Sequence, residues 1–154
     1  MIFVTLGSQK FQFNRLLEAV DKLQIDEMIF AQVGYSDYKP QNYKYKKFMD
    51  RDEFENIMDN ADIVITHGGT GVIIEAVKKK KKVIAVPRLE KYGEHVDDHQ
   101  VQLIGQFKKL NLIYACEDMD IKNALDVVKK TAYNEYKSNT DKIISSLENF
   151  IEGQ

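Results

Sequence analysis

Thr66 to Ala76 reads THGGTGVIIEA: a histidine, three glycines and a threonine come directly after an apolar run, and a carboxylate, Glu75, follows within two helical turns. Glycines leave the backbone bare, and the first turn of a helix offers unpaired N–H groups at the positive end of its dipole. That combination suits a phosphate, so Gly68, Gly69, Thr70 and Gly71 are expected to cradle an anion. Glu75 does not belong in a pure phosphate cup, where its charge would repel the ligand. An ionised carboxylate does accept hydrogen bonds from a vicinal diol. A nucleotide diphosphate with its ribose on Glu75 satisfies both halves; the alternative is a structural glycine turn with Glu75 on a solvated helix face.

A second cluster, VPRLEKYGEHVDDHQ from Val86 to Gln100, gathers Arg88, Glu94, His95, Asp97, Asp98, His99 and Gln100. So many hydrogen-bonding groups after a strand fit a polyhydroxylated ligand, or else helix caps and surface charges. Arg88 could pair with a diphosphate or a sugar carboxylate such as glucuronate, or form a surface salt bridge. His95 and His99, four apart, could share a helix face and hold zinc, but EHVDDH departs from H-E-x-x-H and offers no third ligand. His67 is the local candidate for a general base, with a loop-orienting role as its alternative. Gly7 and Ser8 offer backbone donors after the first strand, across a crevice from Gly69. ATP hydrolysis and NAD chemistry lose support, because there is no G-x-x-x-x-G-K-[ST] and the turn GSQKFQ has one glycine where a dinucleotide fingerprint has three.

These residues need strands and helices to hold them. IFVTL (2–6), MIFAQV (28–33), YKYKKF (43–48), DIVIT (62–66), KVIAV (82–86) and NLIYA (111–115) read as strands. Segments of helical spacing lie between them, among them Leu16, Leu17, Val20 and Leu23. Alternation with uniformly apolar strands predicts a parallel sheet covered on both faces: an α/β, Rossmann-like, doubly wound domain spanning 1–154. The charges of YKYKKF assign it to an edge. A helical tail from about 120 to 151, interrupted at NEYKSNT, carries the stripe Ile143, Ile144, Leu147, Phe150 and Ile151, a possible docking element at about 140–151. The run Lys78 to Lys82 fits a solvated helix end, or attraction to anionic lipid.

With 154 residues, 44% of them hydrophobic, the chain has material for one domain. A net charge of −2 supplies no field for nucleic acid. Cys116 is the only cysteine, which excludes an internal disulfide and any multi-cysteine zinc site. No leader or membrane span is read, so the expected location is cytoplasmic.

MIFVTLGS, THGGTGVIIEA and VPRLEKYGEHVDDHQ together resemble the donor-binding, C-terminal half of GT-B glycosyltransferases related to the lipid II-forming N-acetylglucosaminyltransferase. The resemblance is stronger to the short subunits of two-part transferases, of the dolichol pathway and especially of bacterial exopolysaccharide and capsule synthesis. It implies a UDP-sugar donor, with the diphosphate on Gly68, Gly69, Thr70 and Gly71 and the ribose on Glu75. Asp98, His99 and Gln100 would contact the sugar, and backbone near Phe48 and Met49 the uracil. It further implies inverting transfer of a hexose to a lipid-linked saccharide, no metal, and a membrane-anchored partner subunit that brings the acceptor site and the base. Through that partner the protein would be peripheral at the inner face of the membrane. A non-catalytic nucleotide-sugar sensor is the alternative, while a UDP-sugar 2-epimerase would need a longer chain.

Overall fold

The computed structural model describes residues 1–137. Six strands, β1 (Ile2–Thr5), β2 (Ile29–Gln32), β3 (Lys44–Lys46), β4 (Ile63–Thr66), β5 (Lys82–Ala85) and β6 (Tyr114–Ala115), form one sheet. The α-helices α1 (Asn14–Asp21), α2 (Arg51–Asn60), α3 (Thr70–Lys78) and α4 (His99–Lys109) connect them, and α5 (Ile121–Lys130) follows β6. Every pairing is parallel and the strand order is β3-β2-β1-β4-β5-β6. The expected doubly wound architecture is therefore the one found, with its reversal of winding between β1 and β4.

Strand side chains alternate between two apolar layers, as a period of two requires. Ile2, Val4, Ile63, Ile65 and Ile84 pack with Leu16, Leu17 and Val20 of α1 and Leu125 and Val128 of α5. Phe3, Val64, Val83 and Ala85 pack with Met58 of α2, Ile73 and Ala76 of α3, and Ile104 and Phe107 of α4. Because both faces are covered, the four residues of β1 and of β4 are all buried. β3 lies at one edge with its three residues exposed, as its lysines predict.

Two expectations need correction. NLIYA pairs only through Tyr114 and Ala115, since Asn111 adopts a left-handed φ of 53° that closes α4 and cannot start a strand. The tail leaves helix at Thr131, ahead of NEYKSNT. There the Thr131 hydroxyl donates to the Val127 carbonyl at 2.7 Å, and Lys82 Nζ donates to the Thr131 carbonyl. The stripe from Ile143 to Ile151 lies outside the described residues.

The lysine run sits at the amino end of β5 and ties α3 to its neighbours. Lys79 Nζ meets Asp59 at 2.7 Å, Lys81 donates to the Asp59 carbonyl at 2.9 Å, and Lys80 lies 3.7 Å from Glu135. Lys78 and Lys82 stand over the rings of Tyr136 and Tyr133. Among the described residues, no helix is long and apolar enough to cross a membrane.

Candidate functional site at the carboxyl ends of the strands

Where β1 and β4 part, two turns face each other: Gly7 and Ser8 after β1, and His67 to Gly69 after β4. Thr66 Oγ1 donates to the Thr5 carbonyl at 3.0 Å, and Thr5 Oγ1 donates to Gln32 Oε1 at 2.8 Å, locking the three strand ends together. α3 begins at Thr70 with Gly69 at its N-cap and no side chain capping it, so its first-turn N–H groups point into the crevice unpaired by helix.

A cleft of about 530 Å³ opens here. Its floor is Gly7, Ser8 and Gln32; one wall is Gly71, Val72 and Glu75 of α3, and the other is Met49, Asp50, Arg51 and Phe54 at the start of α2. Asp50 caps the start of α2, its Oδ1 accepting from the Glu53 amide at 2.8 Å. A larger cleft, of about 960 Å³, lies at the amino ends of β2 and β3, and neither glycine turn lines it. The binding rule for open parallel sheets favours the first.

The glycines divide by what surrounds them. A Cβ at Gly71 would meet nothing within 4 Å, so a ligand can approach the backbone there. A Cβ at Gly69 or at Gly7 would lie 2.7 Å from His67 Nε2, and one at Gly68 would lie 2.7 Å from Gln100 Cβ. Gly7 also has φ 70°. These three positions are bare because of a neighbouring side chain, whatever the ligand. Thr70 is buried at the helix start.

Glu75 faces the cleft with one oxygen held and the other unmatched. Arg51 donates to Oε1, while Oε2 is shielded from water and has no hydrogen-bond partner among the described residues. Burying a carboxylate oxygen without a donor is unfavourable, and a hydroxyl ligand would relieve it.

The second cluster is occupied with its own scaffold. Arg88 was expected at the ligand, but its guanidinium is 1% exposed and donates to the carbonyls of Leu6 (2.8 Å), Phe11 (3.0 Å) and Glu94 (3.3 Å), and through Nε to His67 Nδ1 (3.3 Å). Burial pulls its pKa down to about 10, against the attraction of the Glu94 carboxylate, so it stays charged at neutral pH. Gln100, expected at the sugar, is also buried: its Oε1 accepts from the amides of Gly68 and Arg88, both at 2.9 Å, and its Nε2 lies 3.1 Å from His67 Nδ1. Glu94 accepts twice from Arg15, at 3.0 and 2.9 Å, and once from the Leu89 amide.

His67 is therefore unsuited to be a base. Burial first, and the Arg88 charge second, lower its pKa to about 3, so it is neutral. Arg88 Nε–H can only donate, which makes Nδ1 the acceptor and leaves the proton on Nε2. That N–H sits between Gly7 and Gly69.

His95 and His99 do not share a helix face, because His95 precedes α4 and His99 opens it. They share Asp97 instead, with Nδ1 distances of 3.1 and 3.3 Å. Burial raises the Asp97 pKa, but the His99 amide and the two rings outweigh it and leave the carboxyl below its ordinary value. Asp98 Oδ1 accepts from the Glu90 amide at 2.9 Å. Met49 lines the cleft, whereas Phe48 is exposed and packs edge-on against Tyr35 with 5.1 Å between ring centroids. Sequence reading missed Gln32, Asp50, Arg51 and Phe54; the D-x-x-E cap at Asp50 was the available signal for a helix start there.

The doubly wound sheet, with a glycine-led helix start at its carboxyl edge, is the Rossmann-like architecture found in GT-B glycosyltransferases. Residues 1–152 match the glycosyltransferase family 28 C-terminal domain, and the chain belongs to that family. It is 28% identical over 126 residues to the human UDP-N-acetylglucosamine transferase subunit ALG13, covering 75% of this chain and 11% of that protein. The corresponding subunit of Debaryomyces hansenii is 28% identical over 117 residues, covering 74% of this chain and 51% of that one. The chain thus spans about half or less of these relatives' length. Among solved structures, ALG13 superposes with a TM-score of 0.60 at 17% identity, covering 97% of this chain and 93% of that chain. MurG of Acinetobacter baumannii gives 0.55 at 20% identity, covering 84% and 41%.

Proposed function

We propose that this chain is the donor-binding subunit of an inverting UDP-sugar glycosyltransferase acting on a lipid-linked saccharide in polysaccharide synthesis. The observation that carries the reading is Glu75, whose Oε2 lacks a donor inside a cleft that also holds the open backbone at Gly71. A ribose hydroxyl supplies the donor, the diphosphate lies on the first turn of α3, and the base sits between α2 and α3 near Met49. Membership of the family supports this assignment. The sugar then projects toward the start of α4, which carries Asp98 and His99.

In the reaction, an acceptor hydroxyl oxygen bonds to the anomeric carbon as the bond from that carbon to the β-phosphate oxygen breaks, and UDP departs with the added charge. The α3 amides and dipole stabilise that charge, and the Nε2–H of His67 is oriented toward the same crevice. UDP-sugar is the donor substrate, and the reading calls for no metal or other cofactor. In this reading the acceptor's proton goes to a base on a second, membrane-anchored subunit, which the relatives' description as transferase subunits supports.

Calorimetric titration of the full chain with UDP, ADP and GDP tests the donor site: UDP should bind and the purine nucleotides should bind at least about tenfold more weakly, about 1.4 kcal/mol. Equal affinity for all three would remove the uridine assignment. Turnover of a UDP-sugar with a co-expressed membrane partner, absent with either protein alone, separates a transferase from a sensor.

A further inference from the structure

Arg51 is the one cleft residue whose charge opposes that of Glu75, and it comes from a different helix. α2 follows the edge strand β3, and only the β3-β2-β1-β4 order brings its first turn against α3. Arg51 donates to Glu75 Oε1 and, through Nε at 3.0 Å, to Glu55 Oε1, while its guanidinium lies 5.7 Å from the Phe54 ring centroid. The Glu75 side chain is 18% exposed and Arg51 is 64% exposed, so the acid is set in the wall and the base clasps it from the solvent side.

A carboxylate beside a diphosphate poses two problems, repulsion of the ligand and free rotation of the acceptor oxygens. One clasped oxygen answers both. We propose that Arg51 is a positioning residue for nucleotide binding: it fixes Glu75 by Oε1, keeps Oε2 for a ribose hydroxyl, and offsets the negative charge that the diphosphate would otherwise meet. This rests on the donor-site reading above. Arg51 itself makes no ligand contact in this account and acts through Glu75.

The test is a double-mutant cycle on the full chain, with Arg51→Gln, Glu75→Gln and the pair titrated with UDP by calorimetry. Wild-type binding of UDP is measured first, and its absence would overturn the donor site and the proposal with it. Given binding, Arg51→Gln should lower UDP affinity about fivefold, the upper end for an exposed ion pair. In the Glu75→Gln background the same change should alter affinity by less than about 1.5-fold, because the two positions act as one unit. Arg51→Lys should restore part of the loss, since a lysine supplies the charge without the planar fork. A loss that persists in Glu75→Gln would make Arg51 a direct ligand contact, and an unchanged or raised affinity would make it a spectator or a latch; either result overturns the proposal and leaves the donor site standing.

Discussion

The two polar clusters of this chain look alike as lists of residues and differ in what their hydrogen bonds are for. On the α3 side, Gly71 faces open space, the helix start has no side-chain cap, and Glu75 keeps an oxygen unmatched. On the β5–α4 side, Arg88, Gln100, Glu94 and Asp97 are bonded to one another's backbone or to neighbouring loops. The first cluster leaves hydrogen-bonding groups unmatched within the described residues, and the second is a clamp that holds the β1 and β4 turns at a fixed separation. A polar side chain whose bonds are already made is a poor guide to where a substrate binds.

Breaking the clamp should have the largest effect. Arg88→Met leaves buried carbonyls of Leu6, Phe11 and Glu94 without their donor, and should lower the unfolding free energy by about 3–5 kcal/mol in a denaturant titration. A change near zero would mean that the clamp is not what holds the loops.

The same contrast gives a pH dependence. His67 stays neutral down to about pH 3 in the fold, whereas an unfolded histidine protonates near its ordinary value of 6.5. Between those values the unfolded chain binds the extra proton, so this contribution is fully present above pH 6.5 and is lost as pH falls, by about 1.4 kcal/mol per unit. Subtracting the unfolding free energies of His67→Asn from wild type at pH 7 and pH 5 should expose that slope. Parallel curves would place His67 in water.

Gly69→Ala and Gly71→Ala sharpen the comparison most directly, since they lie two residues apart in one turn. Gly69→Ala drives a Cβ onto the His67 ring and should cost about 1–3 kcal/mol of stability. Glu75→Gln should weaken UDP binding by about 1–3 kcal/mol with the melting temperature unchanged, as a lost charge-assisted bond requires. Gly71→Ala should leave stability equal or higher by up to about 1 kcal/mol, because alanine favours helix, while lowering UDP affinity. A Gly71→Ala protein with wild-type affinity would take the ligand away from α3.

Much of the fold was legible because the strands are short, apolar runs bounded by turns, and a parallel sheet buries both faces of each. β3 announced its edge position by its lysines. The site was legible in part: the glycine turn and Glu75 fall within ten residues of one another, and their chemistry is local. The backbone partners of Arg88 and Gln100 were not legible, because the same groups that recognise a sugar also satisfy backbone, and nothing in VPRLEKYGEHVDDHQ says which they meet.

The sequence by itself determined the alternation of strand and helix, the bare turn and the helix start, since each depends on neighbours within a few residues. Tertiary structure alone decided the rest. Arg88 finds the Leu6 carbonyl 82 residues away, and Arg51, 24 residues from Glu75, reaches it because the chain crosses from β3 past β2 and β1 to β4. Whether a polar group faces ligand or protein depends on such long-range partners, and strand order, not local spacing, chooses them.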